Sequence, residues 1–108
     1  MSEQEEQKPK QKLQDNLIFV GSKPFMNYIN AAQYQLKEND TIEICARGKS
    51  ISKAVDIAEV LTERFMKGQI EKLSITTSSE AFDSKEGNGK KISVSAIKIV
   101  LKKKQKAI

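Results

Sequence analysis

The sequence contains no histidine and no tryptophan, and Cys45 is its one cysteine. A single cysteine excludes an internal disulfide framework. Without histidine, the usual zinc sites and His-based acid–base catalysis are unavailable. A thiolate nucleophile needs an electropositive niche, and the local sequence offers only Arg47, two residues further along the same strand face. We therefore interpret Cys45 as a packed strand residue, and we expect no metal, no other cofactor and no catalytic residue.

Long hydrophobic runs are also absent, since the chain of 108 residues has no stretch of about 18 apolar residues that could span a membrane. The first residues, MSEQEEQKPKQKLQ, are charged and rich in glutamine, and they lack the apolar region of a secretory signal. We expect a cytoplasmic protein that does not bind membranes. Residues 1–14 are expected to form a disordered tail, and residues 15–108 a single domain.

The net charge of +5 is unevenly distributed along the chain. Residues 1–15 and residues 16–84 each carry a net charge of −1, whereas residues 85–108 hold eight lysines against one glutamate and carry +7. A local basic surface favours a polyanion partner, such as nucleic acid, more than a mild global excess does. On charge alone, the alternative is a lysine-rich tail that serves solubility.

Hydrophobic periodicity predicts four strands and two helices in the order β-α-β-α-β-β. The apolar run NLIFV is typical of a strand buried on both faces. Pro24 suits the first position of a helix, and Ser50 suits an N-cap. The predicted strands cover residues 16–20, 41–48, 70–82 and 90–104, and the helices run from Pro24 to the KEND segment and from Ser50 to near Gly68. The apolar stripe of the second helix comprises Ile51, Ala54, Val55, Ala58, Leu61 and Phe65.

The last two predicted strands are longer than the sheet requires, so their ends should project roughly 20 Å beyond the body as a β-hairpin arm. The apolar residues of the final strand change face along its length, with Ile92 and Val94 on one face and Ile97, Ile99 and Leu101 on the other. One explanation is a β-bulge near Ser95 and Ala96. The other is a strand end buried on both sides, because Val100 interrupts the alternation.

Basic residues stand beside glycine at both predicted helix starts: Lys23 after Gly21 in the first loop, and Arg47, Lys49 and Lys53 around Gly48 in the second. A helix N-terminus is partly positive, so a cation there is unfavourable unless an anion binds beside it. Right-handed crossovers place both loops at the same edge of the sheet. We therefore predict a phosphate site at each loop. The alternative is that the lysines are merely solvated, at a cost of roughly 0.3 to 1 kcal/mol each.

The GKS segment at residues 48–50 follows a strand and opens a helix, as the end of a P-loop does. A P-loop also requires a glycine at the position that Glu43 occupies here, inside a strand and with the wrong charge for a phosphate cradle. This mismatch excludes a nucleoside triphosphatase of that class. Because no other catalytic constellation is present, we expect a protein that is not an enzyme.

Three features of the sequence together match one known family: the segment NLIFVGSKPFMNYINAA, the segment IEICARGKSISKAVDIAEVLTERF and the long hairpin with its lysine-rich end. Through them the sequence resembles the Alba family of archaeal chromatin proteins over residues 16–104. It implies a two-layer α/β fold with an extended β-hairpin arm, related to the C-terminal domain of a bacterial translation initiation factor. It also implies a chromosome-associated homodimer that binds double-stranded DNA and RNA with little sequence preference, with higher assemblies on DNA.

The resemblance also implies roles for individual residues. Phe65 matches an aromatic residue of dimer–dimer contacts, and Lys23 matches a lysine that faces the nucleic-acid backbone. Ser22 replaces the first lysine of the family's usual pair, the one associated with regulatory acetylation, which makes Lys23 the candidate modification site. The nucleic-acid-binding residues implied in this way are Ser22, Lys23, Arg47, Lys49, Lys53, Lys85, Asn88, Lys90 and Lys91.

Two departures from the family pattern modify this expectation. Ser22 lowers the number of cations near the dimer axis, and Asn88 and Gly89 make the arm tip less basic. We expect weaker binding with some preference for sequence or shape, as the balance moves from phosphate contacts towards groove readout. The alternative function is that of an RNA-associated assembly factor or ribonucleoprotein subunit, which would prefer structured RNA and require protein partners.

Overall fold

The computed structural model describes residues 16–83 and 89–104. Its elements, in chain order, are β1 (Leu17–Phe19), α1 (Phe25–Glu38), β2 (Thr41–Arg47), α2 (Ile51–Val60), β3 (Ile70–Asp83) and β4 (Lys91–Lys103). This order confirms the predicted β-α-β-α-β-β arrangement. The predicted tail over residues 1–14 and the predicted arm-tip residues Lys85 and Asn88 lie outside the described residues.

The four strands form one sheet in the order β1-β2-β4-β3, with β1 parallel to β2 and the other neighbours antiparallel. Alternate residues of the strands, such as Ile44 and Ile99, are buried against the two helices, which lie on one face of the sheet. Ile29 of α1 and Ile57 of α2 are fully buried in the same core. The result is the two-layer α/β sandwich that was expected, with an open sheet face opposite the helices.

The expectation that the first strand is buried on both faces is wrong. β1 lies at the edge of the sheet, and the helices cover only one of its faces. Ile18 is therefore buried, whereas the side chain of its neighbour Phe19 is 63% exposed on the open face. A continuous apolar run has no alternation from which the covered face can be read, so the sequence pattern could not distinguish an edge strand from a central one.

Both predicted helices are present, with differences at their starts and in the stripe of the second. α1 begins at Phe25, one residue after Pro24, and Ser50 precedes α2 without a side-chain capping hydrogen bond. The second predicted stripe is wrong at Phe65, which is 46% exposed, because residues Leu61–Phe65 form a π-helical turn. In that turn Met66 N–H donates to the carbonyl oxygen of Leu61, five residues earlier, at 2.8 Å. The wider turn rotates Phe65 away from the core.

Val55 also departs from the predicted stripe of α2, since its side chain is 38% exposed. It lies about 100° around the helix from Ala54, which is buried. The predicted stripe omitted Ile57, which is fully buried and lies close to Ala54 and Ala58 on the helix surface. The buried face of α2 is therefore centred on Ile57 rather than extending to Val55.

Of the two explanations offered for the change of face in the final strand, the β-bulge near Ser95 and Ala96 is wrong. Pairing between β3 and β4 is uninterrupted from Ser74 opposite Val100 to Asp83 opposite Lys91, and its register shift lies at Leu73 in β3. Ile92 and Val94 lie on the opposite face from Ile97, Ile99 and Leu101 because side chains alternate along a regular strand. They belong to the open face, whereas the other three are buried against the helices. Pairing of β2 with β4 stops at Ala96, so the hairpin continues for about five further residue pairs, roughly 17 Å, as a two-stranded arm.

Candidate nucleic-acid interface

The two glycine-containing loops lie side by side at one edge of the sheet, as their positions after two parallel strands require. The first loop (residues 21–24) links β1 to α1, and the second loop (residues 48–50) links β2 to α2. The ammonium group of Lys53, in the first turn of α2, donates hydrogen bonds to the carbonyl oxygens of Gly21 at 2.9 Å and Lys23 at 2.6 Å. The structure therefore brings Lys53 and the first loop into direct contact.

Tyr28 also contacts the first loop. The amides of Gly21 and Lys23 donate to the Tyr28 hydroxyl oxygen at 2.8 Å and 3.2 Å. Tyr28 is buried in the core, and its ring lies 5.2 Å from the Lys53 nitrogen, within the range of a cation–π contact. These two loop amides are therefore engaged within the protein, which narrows the predicted phosphate site to the Lys23 side chain and the helix start.

Lys23 and Lys49 are the exposed cations that the two loops contribute. Within residues 16–83 and 89–104, neither ammonium group has a hydrogen-bond or ion-pair partner. Gly48, which precedes Lys49, has a φ of +53°, a left-handed conformation that glycine adopts without strain. The second loop can therefore turn sharply into α2 and leave Lys49 in solvent.

Arg47 connects the body to the base of the arm. Its Nε lies 2.8 Å from Oε1 of Glu80 on β3, and its guanidinium lies 5.4 Å from the centroid of the Phe82 ring. Both side chains of the ion pair are substantially exposed. Arg47 thus lies next to the two loops, as predicted, but its charge is partly balanced by a carboxylate of the arm.

The described part of the arm carries a further ion pair. Lys91 Nζ lies 2.6 Å from Oδ1 of Asp83, directly across the hairpin, and Lys90 is exposed beside it. Next to this pair, Phe82 lies opposite Ile92 across the hairpin, and both side chains are exposed. The arm therefore presents apolar as well as charged groups to its surroundings.

Cys45 lies in a groove of about 560 Å³ on the open sheet face, between Phe19 and Lys98. Burial raises the pKa of the Cys45 thiol above its ordinary value, the Glu43 carboxylate raises it further, and Lys98 opposes them. A raised pKa keeps the thiol protonated at neutral pH, which disfavours a nucleophilic role. In the part of the chain that the structure describes, no three metal-ligating side chains cluster, and no helix is long and apolar enough to cross a membrane.

Tyr28, Glu80 and Phe82 are site residues that the sequence pattern missed. Tyr28 lies in the core. A hydrophobic pattern does not predict that its hydroxyl group contacts the first loop. Glu80 and Phe82 lie near Arg47 because β4 pairs with β2 on one side and with β3 on the other. Local sequence carries no signal of the register of this pairing.

Comparison with known proteins gives a consistent result. The Alba family model matches residues 16–79. The protein named "DNA/RNA-binding protein Alba" of Methanocella arvoryzae is 45% identical over 96 residues, which cover 87% of this chain and 96% of the relative. The protein named "DNA/RNA-binding protein Alba 1" of Archaeoglobus fulgidus is 43% identical over 91 residues, which cover 83% of this chain and 98% of the relative.

Solved structures have the same fold. Alba from Thermoplasma volcanium superposes with a TM-score of 0.72 at 41% identity, over 81% of this chain and 99% of that one. ALBA1 from Trypanosoma brucei superposes with a TM-score of 0.66 at 23% identity, over 82% of this chain and 69% of that one, and supports the fold alone. From the family match, the identity to these relatives and the shared architecture, the chain belongs to the Alba family.

Proposed function

We propose that this protein is a non-enzymatic nucleic-acid-binding protein that holds double-stranded DNA or RNA mainly by its phosphate backbone. The observation that carries the proposal is the pair of adjacent loops that expose the unpartnered ammonium groups of Lys23 and Lys49 beside a projecting hairpin. Relatives with more than 40% identity are named DNA/RNA-binding proteins, which supports the same function.

The described surface favours backbone contacts over base readout. Lysine ammonium groups on loops contact phosphates without reading the bases, so binding depends little on sequence. The ion pairs Arg47–Glu80 and Lys91–Asp83 are exposed, and exposed pairs contribute only about 0.2 to 1 kcal/mol. Phosphate oxygens can therefore replace the carboxylates at little cost and recruit both cations to the interface.

The active form in this proposal is a homodimer that acts in chromatin in the cytoplasm and associates further along DNA through Phe65. Several large apolar side chains, including Phe19, Leu73 and Ile75, are more than half exposed, which favours self-association. Phe65 is displaced from the core by the π-helical turn and is free to contact another molecule. Sedimentation of the free protein tests this proposal, and we expect one species of twice the chain mass.

The proposed site is tested by replacing Lys23 and a matched lysine at the other end of the same helix. Lys23→Ala should weaken binding to unrelated duplexes equally and reduce the slope of log affinity against log salt by about 1 per protomer. Lys37→Ala removes the same charge from the last turn of α1, about 20 Å away, and should leave the slope unchanged. Equal effects of the two variants would contradict the proposed site.

A further inference from the structure

Unlike the ammonium groups of Lys23 and Lys49, that of Lys53 is directed towards backbone carbonyl groups of the protein. Its side chain is half-buried, and its ammonium group donates to the carbonyl oxygens of Gly21 and Lys23 at 2.9 Å and 2.6 Å. The same nitrogen lies 5.2 Å from the centroid of the Tyr28 ring. With these contacts made, two of the three ammonium donors are engaged within the protein, and little of the group is available to a ligand.

Tyr28 makes the complementary contacts on the same two residues. Its hydroxyl oxygen accepts hydrogen bonds from the amides of Gly21 and Lys23 at 2.8 Å and 3.2 Å. Both backbone groups of Gly21 and of Lys23 are therefore satisfied by two side chains, one from α1 and one from α2. Ser22, between them, is exposed.

The bracing fixes the backbone from which the Lys23 side chain extends. A short loop that contains glycine has a high conformational entropy, and holding it in one conformation before binding lowers the entropic cost of binding. We propose that Lys53 is a positioning residue, which with Tyr28 holds the first loop so that Lys23 is presented to nucleic acid, rather than a residue that contacts phosphate itself. This inference deepens the proposed function and rests on it.

The bracing itself is tested on the free protein by amide hydrogen exchange. Lys53→Met keeps the length and the aliphatic contacts of the side chain but removes its donors, and Tyr28→Phe removes only the acceptor. Both variants should speed exchange of the Gly21 and Lys23 amides by about tenfold, as expected for the loss of one or two hydrogen bonds. Lys49→Met removes an equal charge from an exposed, unpartnered side chain and should leave these two amides unchanged. Unaltered exchange in Lys53→Met would overturn the inference.

The role in binding is tested by a double-mutant cycle with Lys23. If Lys53 acts through Lys23, Lys53→Met should weaken duplex binding by about tenfold in the wild-type chain and by less than about twofold in the Lys23→Ala background. The control cycle of Lys49→Met with Lys23→Ala should be additive, since both side chains contact phosphate independently. An equal loss in both backgrounds would overturn the positioning role and make Lys53 a direct contact.

The cycle also separates this inference from the function on which it rests. If the wild-type chain bound no nucleic acid, both the proposed function and the role of Lys53 in binding would be contradicted, whereas amide exchange would still register the braced loop. If the wild-type chain bound but the Lys53 and Lys23 losses were additive, the proposed function would stand and the inference would fail.

Discussion

At the scale of single residues, the four cations around the loops have three different environments. Lys23 and Lys49 are exposed and have no partner among the described residues, Arg47 pairs with an exposed carboxylate, and Lys53 donates to backbone carbonyl groups. The sequence places all four near glycine, but the number of these cations does not give the number of phosphate contacts. Among the described residues, Lys23 and Lys49 can bind phosphate without breaking a contact within the protein.

Gly48 provides a test of the backbone on which the second loop depends. Its φ of +53° is unfavourable for residues with a Cβ atom, so Gly48→Ala should lower the free energy of unfolding by about 1 to 2 kcal/mol. Gly21→Ala is the matched control, because Gly21 has no positive φ and its added Cβ would lie 3.7 Å from the Tyr28 hydroxyl oxygen, an ordinary contact. Urea denaturation measures both changes, and equal losses would contradict the assigned strain.

Cys45 provides a test of the chemistry of the open sheet face. Because its thiol has a raised pKa, the folded protein holds less thiolate than the unfolded chain at mildly alkaline pH. Alkylation by iodoacetamide should therefore be slower in the folded protein than in urea, and the folded rate should keep rising at pH values where the unfolded rate has levelled off. Faster alkylation of the folded protein would indicate an activated thiolate and contradict the structural role.

The roles of single residues in binding stay predictions, but the structure shows contacts with partners distant in sequence that the pattern does not reveal. Lys53 was predicted from its spacing as a phosphate ligand, and the periodicity of α2 does not reveal that its ammonium group donates to the first loop. Lys23 and Lys49 were predicted to be cations at helix starts, and they lie there, exposed. Their binding to phosphate stays a prediction, as do the roles of Ser22, Lys90 and Phe65.

At the scale of secondary-structure elements, the arm and the body are joined through Arg47, Glu80 and Phe82. Among residues 16–83 and 89–104, no further strand lies beside the two-stranded part of the hairpin beyond Ala96, so its direction depends on few contacts. Arg47 supplies both an ion pair and a cation–π contact at this junction. These contacts favour one direction of the arm in the free protein.

The junction predicts an effect of Glu80 on binding. Glu80→Gln removes a negative charge beside the loops and the need to break the Arg47–Glu80 pair on binding, so it should strengthen duplex binding by about fivefold while the salt slope stays the same. Glu71→Gln removes the same charge from the other end of β3, where Glu71 lies opposite Lys102, and should leave the affinity unchanged. Weaker binding by Glu80→Gln would contradict this account and give Glu80 a role in holding the arm for binding.

The order of the elements could be predicted from the sequence because each long element has a clear period. The errors at Phe19 and Ile92 concern the layer that covers the sheet, which local sequence does not specify. Phe19 is exposed because β1 is an edge strand, and Ile92 lies on the open face of a regular strand in the part of the hairpin that extends beyond the covered sheet. The error at Phe65 has a local cause, since a π-helical turn changes the period of the helix itself.

At the scale of the whole molecule, the described parts combine into one positively charged edge. The two loops lie at the carboxyl ends of the parallel strands β1 and β2, and the Arg47–Glu80 pair places the base of the arm next to them. In the proposed homodimer this edge is present twice, which doubles the number of phosphate contacts without any contact to bases. Charge and spacing therefore both favour binding that follows the shape of the duplex.

The most direct test of this account is equilibrium binding of the wild-type protein to several unrelated DNA duplexes and one RNA duplex over a range of salt concentrations. If a dimer neutralises about six phosphates, log affinity should fall against log salt with a slope of roughly −5, and the slope should be nearly the same for every DNA sequence. The ratio of DNA to RNA affinity then identifies the preferred duplex. A flat salt response, or a slope that depends strongly on sequence, would contradict binding through the phosphate backbone.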